Sequence, residues 1–348
     1  MIPETMRAVL MPGDKHVELV DRPVPSPGPH DVLVQTRASA ICRSDMSIYY
    51  GNPVLGEQRR GDELRVPGHE AAGVVVAVGS QVRAIAVGDR VASYLAVGDH
   101  STALGAQGYL MLTPGWECFG FDIDGGDADY FRLPEANCLP LPDELSYEAG
   151  AVATDMIGTQ YFTQKRLGVS AGSTVAVIGM GPMGSAAVLV ARAHQARVIA
   201  VDVLPSRLDS AAALGATDTV NSAETDFPAA IADLTGGRGA DFVIECSGNP
   251  AAQTKALDAA AQLGRIAYVG ESPSTTISPS AQMIHKQLTL IGGWYFPRTA
   301  WEEIADFIVR HQLDVEALIS HRFPLADAEF AFRAFDRRET EKVVFTWD

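Results

Sequence analysis

Cys42, in the segment CRSDMSIYYG, and the pair His69 and Glu70, in VPGHEAAGVVVAVG, bring a thiolate, an imidazole and a carboxylate into one short stretch of chain. These are zinc donor types, and a site with three protein donors keeps a fourth position for water or substrate. By spacing alone the same residues also read as a buried thiol and a satisfied histidine. A second chemical signal is STVAVIGMGPMGSAAVLVARAH, in which an apolar run enters Gly179, Gly181 and Gly184 at GxGxxG spacing and passes directly into a helical pattern. The first glycine permits a tight turn, the second lets backbone approach a pyrophosphate, and the third allows close helix packing. Pro182 and Met183 complete the loop, and the helix amino terminus offers free N–H groups to phosphate. The next apolar run, RVIAVD, ends on Asp202, whose carboxylate can accept both adenosine ribose hydroxyls and would repel a 2′-phosphate. NAD is therefore expected ahead of NADP. Arg207 would soften that preference if it reached the ribose edge, and a plain turn aspartate before Pro205 is the other reading of Asp202.

Two rhythms supply the elements that must hold these residues. Up to about residue 150 the chain is written in short β-rich runs broken by Gly and Pro, such as DVLVQTRASAIC, AAGVVVAVG, GDRVASYLAVG and ADYFRLP. From residue 173 apolar runs alternate with helical stretches, the pattern of a parallel sheet with crossover helices. The expected strands are Thr174 to Gly179, Val198 to Asp202, Asp218 to Val220, Phe242 to Cys246, Ile266 to Gly270 and Leu288 to Gly292. The fold class is thus α/β, a β-rich domain joined to a doubly wound, parallel six-stranded dinucleotide-binding sheet. The tail after Gly293, with the helix TAWEEIADFIVRHQ and a closing strand KVVFTWD, is too short to stand alone and is expected to return to the first domain.

Composition narrows the function. At 348 residues the chain has room for two cores, and 27 Lys plus Arg against 43 Asp plus Glu give a net charge of -16. A surface of that sign disfavours nucleic acid and anionic lipid. No apolar run reaches the roughly 20 residues of a bilayer crossing, so no membrane partner is expected. The opening MIPETMRAVLMPG lacks the basic head and apolar stretch of a secretory signal, which points to the cytoplasm. The four cysteines, Cys42, Cys118, Cys138 and Cys246, are too few and scattered for a disulfide framework and read as free thiols or metal ligands.

The string GHExxGxxxxxG is matched by Gly68, His69, Glu70, Gly73 and Gly79, and with CRSD at Cys42 to Asp45, GDRV at Gly88 to Val91 and the glycine loop the chain resembles the medium-chain zinc-dependent alcohol dehydrogenases (medium-chain dehydrogenase/reductase family) over its whole length. The resemblance implies a GroES-like catalytic domain, residues 1–153 and 296–348, and a Rossmann domain, residues 154–295. Most relatives supply the third zinc ligand as a cysteine or glutamate leading into the interdomain helix. Here AGAVATDMIGTQYF offers Asp155, as in bacterial secondary-alcohol dehydrogenases, to complete a Cys42, His69, Asp155 site. Thr154 or Asp155 acting as a helix cap is the alternative. Glu70 is the rival ligand, an outer carboxylate when the fourth position is filled. Asp45 resembles the partner that fixes the tautomer of the ligand imidazole. The lobe from Val97 to Asp124 carries Cys118 alone, where many relatives hold a structural zinc with four cysteines, so one zinc per chain is expected; Cys138 and Cys246 read as buried thiols.

The activity implied is an NAD-dependent zinc alcohol dehydrogenase, an oxidoreductase moving hydride between NAD(H) and a small alcohol and its carbonyl compound, a secondary alcohol, polyol or cyclitol fitting best. Zinc as Lewis acid would acidify the hydroxyl. Ser44 stands where relatives place the hydroxyl that contacts the alcohol and starts a proton relay; where many continue it through histidine, this chain has Ser47. Arg43 resembles a pyrophosphate partner, with a solvated arginine as the bland reading. Tyr49, Tyr50, Trp116 and Trp294 are candidate pocket walls or core. The family implies a homodimer or homotetramer, Leu288 to Gly292 being a plausible edge for twofold pairing. The competing readings are a zinc-free NAD(P)H-dependent reductase of the same fold and a non-catalytic NAD-binding protein.

Overall fold

The β-rich run DVLVQTRASAI builds an eleven-residue strand, Asp31–Ile41, with Val32 and Val34 on one face and Leu33 on the other. It lies near the centre of a seven-stranded sheet in the computed structural model, which describes residues 1–53 and 64–347. Two apolar clusters cover the faces of this strand. One gathers Val32, Val34, Ala71, Val75, Val91, Phe119, Phe131 and Leu133; the other holds Leu33 with Met6, Ala8, Ala128 and Tyr130.

Contacts divide the chain into two compact units, one formed by Met1–Asp155, Pro297–Val309 and Asp314–Asp348, the other by Met156–Phe296 and Arg310–Leu313. The main sheet of the first unit runs Ile319–Pro324, Lys342–Thr346, Asp31–Ile41, Glu70–Val78, Arg90–Ser93, Cys138–Pro140, with Tyr130–Pro134 also paired to Asp31–Ile41. The closing strand of the chain therefore sits against one of its earliest. Register decides what this achieves. Ala40 lies opposite Glu70, and Ile41 lies opposite Val343, so the end of one strand and the starts of two neighbours converge where Cys42, His69, Glu70 and Lys342 follow or begin.

In the second unit all six strands are parallel. Their spatial order is Asp218–Asn221, Arg197–Asp202, Thr174–Ile178, Ala240–Glu245, Ala260–Tyr268, Thr289–Gly292, which is the doubly wound dinucleotide-binding order with its reversal between Thr174–Ile178 and Ala240–Glu245. Val175 and Val177 face one apolar cluster and Ala176 and Ile178 the other, as a strand covered by helices on both sides requires. The expected strands are all present, and the fifth begins earlier, at Ala260, through a register shift after Ala240. Among the described residues no helix is long and apolar enough to cross a membrane.

Candidate active site

Each donor of the first unit is placed by a distinct local device. Cys42 follows directly on Asp31–Ile41, and a turn then enters the short helix Asp45–Tyr49. The buried Asp45 ties two segments together. Its Oδ2 accepts the backbone N–H of Cys42 at 2.8 Å, and its Oδ1 lies 3.0 Å from Nδ1 of His69. An Nδ1–H donated to Asp45 leaves Nε2 with a lone pair for a metal. Gly68 permits the approach: its φ of +91° is left-handed, and a Cβ there would lie 2.3 Å from Oδ1 of Asp127. Ser93 holds the next residues by donating to the His69 carbonyl and accepting from the Ala71 N–H. Asp155 projects from a π-helical turn, Ala153–Ile157, inserted between two α-helices. Such turns re-aim a side chain that a regular helix would leave elsewhere, and they recur at functional sites. The capping alternative does not describe the geometry. Thr154 bonds back to the Ala151 carbonyl at 2.8 Å, and the N-cap of the helix Gly158–Leu167 is Ile157.

Ligating atoms of Cys42, His69, Glu70 and Asp155 all lie within 4.8 Å of one another. Nε2 of His69 stands 3.8 Å from Oδ2 of Asp155 and 3.9 Å from Oε1 of Glu70, and the Cys42 sulfur is 3.5 Å from Oδ2 of Asp155. Burial pushes the Cys42 thiol up, and the Asp155 carboxylate adds to that. Burial opposes ionisation of Asp155 too, but the His69 imidazole more than offsets it and holds the carboxyl below its ordinary range. His69 is pressed by burial toward neutrality and by Asp45, Asp155 and Cys42 the other way, with the second effect prevailing. Glu70 is fully buried, and its Oε2 has no hydrogen-bond partner among the described residues. A thiol, an imidazole, two carboxylates and an orphaned buried oxygen facing one point suit a divalent cation, and zinc fits this donor set. Among the described residues this is the one cluster of three or more such side chains.

The sequence reading missed Lys342. Its ammonium is buried and donates to Glu70 Oε1 at 2.5 Å and to the Ile41 carbonyl at 3.2 Å. Burial works against its charge, and Glu70, Cys42 and Asp155 hold it in place. The signal lay in KVVFTWD, where a lysine opens an otherwise apolar strand that has to be buried. Of the aromatic candidates, Tyr49 is core, stacked on Phe332 with centroids 6.2 Å apart, and Tyr50 bonds to Asp336 beneath Lys15. Both leave the pocket-wall reading to Trp116 and Trp294. Ser44 is half-buried at the N-cap of the short helix with no capping hydrogen bond, whereas Ser47 donates its hydroxyl to the Ser44 carbonyl at 2.6 Å. Arg43 is exposed, in the field of Asp336 and Tyr50. Cys118 and Cys138 are buried with thiols pushed up to about 12 by burial, and the half-buried Cys246 has its sulfur 3.5 Å from Nε2 of Gln160.

In the second unit Gly179 turns the chain with φ +87°, Gly181 caps the helix Pro182–Ala193 with open space where a Cβ would stand, and a Cβ at Gly184 would lie 1.9 Å from the Gly179 carbonyl. Pro182 and Met183 form the first turn of that helix. Asp202 closes the next strand; it accepts the Met180 N–H at 2.6 Å and the Leu204 N–H at 2.9 Å, with Arg207 3.8 Å away. Beyond the carboxyl ends of the last strands lies a cavity of about 710 Å³ lined by Tyr268, Gly270, Glu271, Ser272, Gly293 and Trp294 among others. The Glu271–Thr275 stretch of that lining was not anticipated, because nothing in a Ser- and Pro-rich loop distinguishes a wall from a linker.

Comparison with known proteins agrees with both units. Residues 28–143 match the alcohol dehydrogenase GroES-like domain, and residues 182–310 match the zinc-binding dehydrogenase family. An uncharacterised zinc-type alcohol dehydrogenase-like protein of Escherichia coli (strain K12), YphC, is 35% identical over 351 residues, covering 99% of each chain. The sorbitol dehydrogenase of Bacillus subtilis (strain 168) is 30% identical over 332 residues, covering 95% of this chain and 93% of its own. A protein of Sinorhizobium meliloti 1021, provisionally named a zinc-binding dehydrogenase and solved with NADP bound, superposes with a TM-score of 0.89 at 26% identity, covering 99% of this chain and 100% of its own. The chain belongs to the medium-chain zinc-dependent alcohol dehydrogenase family, and so to the oxidoreductases.

Proposed function

We propose that the protein is an NAD-dependent zinc alcohol dehydrogenase that oxidises a small secondary alcohol or polyol, or reduces the matching ketone. The observation that carries this reading is the convergence of Cys42, His69, Asp155 and Glu70, with one Glu70 oxygen left unpartnered. Cys42, His69 and Asp155 would hold the zinc, two anions and one neutral imidazole balancing a +2 charge, while Glu70 stands beside them. Zinc so held supplies Lewis acidity toward the alcohol hydroxyl. Asp45 keeps the imidazole in the tautomer that presents Nε2. Ser44, whose hydroxyl caps nothing, would take the hydroxyl proton, and because Ser47 donates its own hydroxyl to the Ser44 carbonyl, the onward path would run by cofactor ribose and water.

Gly179, Gly181, Pro182, Met183 and Gly184 would bind the pyrophosphate, Asp202 the adenosine ribose, and the cavity walled by Trp294 the nicotinamide. Asp202 favours NAD by repelling a 2′-phosphate, and Arg207 at 3.8 Å, already matched to that carboxylate, tempers the preference without reversing it. Arg43 is proposed as a further cofactor contact. The division into residues 1–153 with 296–348 and residues 154–295, a single zinc per chain, and a homodimer or homotetramer belong to the same reading. The sorbitol dehydrogenase relative supports a polyol-like substrate.

Zinc per chain in protein purified without added metal is the deciding measurement, repeated on Asp155→Ala. About one zinc in the wild type and marked loss in the variant is the expected result. A wild type without zinc overturns the reading and leaves a zinc-free reductase of the same fold.

A further inference from the structure

Resting on the zinc-site reading above, we infer that Lys342 is a positioning residue that holds Glu70 off the metal and so keeps the substrate's coordination position open. Glu70 is one residue beyond a proposed ligand, with Oε1 3.9 Å from the His69 Nε2 that would face the zinc. A buried carboxylate seeks the nearest cation, and an uncompensated one is strongly unfavourable. Two cations can compete for it here. Lys342 holds Oε1 at 2.5 Å and is itself anchored by the Ile41 carbonyl at 3.2 Å, so its ammonium is fixed at two points on neighbouring strands. Among the described residues Glu70 Oε2 is left without a partner, which places an unspent charge-bearing oxygen on the same carboxylate. Lys342 also lies in the field of Cys42 and Asp155, so the three acidic donors share one ammonium before any metal enters. With Cys42, Glu70 and Asp155 ionised, that ammonium and a +2 ion bring the cluster to neutrality. Remove it, and among the described residues no other ammonium or guanidinium hydrogen-bonds Glu70, which leaves the metal to draw it.

The test replaces zinc with Co²⁺, whose visible bands shift when an added anion such as azide enters an open coordination position. Lys342→Met and Lys342→Gln, the latter keeping a hydrogen-bond donor for Glu70 should the former fail to fold, are compared with Lys342→Arg and the double variant Lys342→Met/Glu70→Gln. Both neutral variants should lose the azide-induced shift and release metal to a chelator about tenfold more slowly, the scale on which outer partners of metal ligands act. Lys342→Arg and the double variant should behave as the wild type. Neutral variants that answer azide and release metal as the wild type does, or a double variant that stays unresponsive to azide, would overturn the role of Lys342 while leaving the zinc site standing. A wild type that takes up no cobalt would overturn the zinc site itself.

Discussion

Asp127 shows how much a single buried group can set. It is fully buried beside the Gly68 turn, accepts the Ser39 hydroxyl at 2.6 Å, and keeps Oδ2 without a hydrogen-bond partner among the described residues. Burial, with the nearby Asp45 charge, raises its carboxyl to about 7. The folded protein then binds a proton more tightly at this position than the unfolded chain does. Stability therefore falls as pH rises from the ordinary carboxylate range to about 7, by on the order of 1.4 kcal/mol per pH unit for this group alone. Asp127→Asn, nearly isosteric and uncharged, should remove that slope, so its denaturation midpoint should gain on the wild type between pH 5 and about 7. Parallel pH profiles for the two proteins would contradict this account. Sequence gave no warning of it, because DGGDADYF places Asp127 in what reads as a polar turn, and only pairing of Gly125–Asp127 with Val66–Gly68 takes it out of water.

At the scale of elements, the strand–loop–helix at Thr174–Ile178 and Pro182–Ala193 depends on contact closer than any side chain allows. A Cβ at Gly184 would meet the Gly179 carbonyl at 1.9 Å, and that atom belongs to backbone that cannot swing away. Gly184→Ala should cost roughly 1–3 kcal/mol of strain, within the range for overpacking. It should weaken NADH binding, read by quenching or calorimetry, while zinc content stays at the wild-type level because the proposed metal donors lie in the other unit. Unchanged NADH affinity would show that the loop is not the pyrophosphate cradle. The π-helical turn at Ala153–Ile157 works in the opposite sense, since nothing in AVATDMIGT specifies an extra residue per turn. The choice between Asp155 as cap and as donor was open in the sequence, and that turn brings its carboxylate beside Cys42 and His69.

For the whole molecule, ligand binding should stabilise each unit where its donors lie. Hydrogen exchange should slow at Ile41–Asp45 and Gly68–Ala72 when zinc is restored to chelator-stripped protein, and at Gly179–Gly184 and Tyr268–Ser272 when NADH is added. A ligand at about one hundred times its dissociation constant contributes ~2.7 kcal/mol, enough for a measurable rise in melting temperature. Glycine-loop exchange that ignores NADH would place the cofactor elsewhere.

What the sequence determined by itself was whatever is written locally. β-rich runs broken by Gly and Pro marked strands such as Asp31–Ile41, apolar runs between helices marked the six-stranded parallel sheet, and fixed glycine spacing marked the loop at Gly179 and the turn at Gly68. The donor types Cys42, His69 and Glu70 were legible because each motif is contiguous, and Asp155 because it stands in a segment that resembles a known family. Only tertiary structure decided the rest. Lys342 reaches Glu70 across 272 residues of chain, a contact made by the register of strands that local patterning does not encode. Stacking on Phe332, which lies in the distant helix Ala328–Asp336, put Tyr49 in the core rather than in a pocket. Burial together with buried partners, not residue type, then set how readily each acid ionises, because the free energy of an ionised group depends on the water and partners that folding leaves around it.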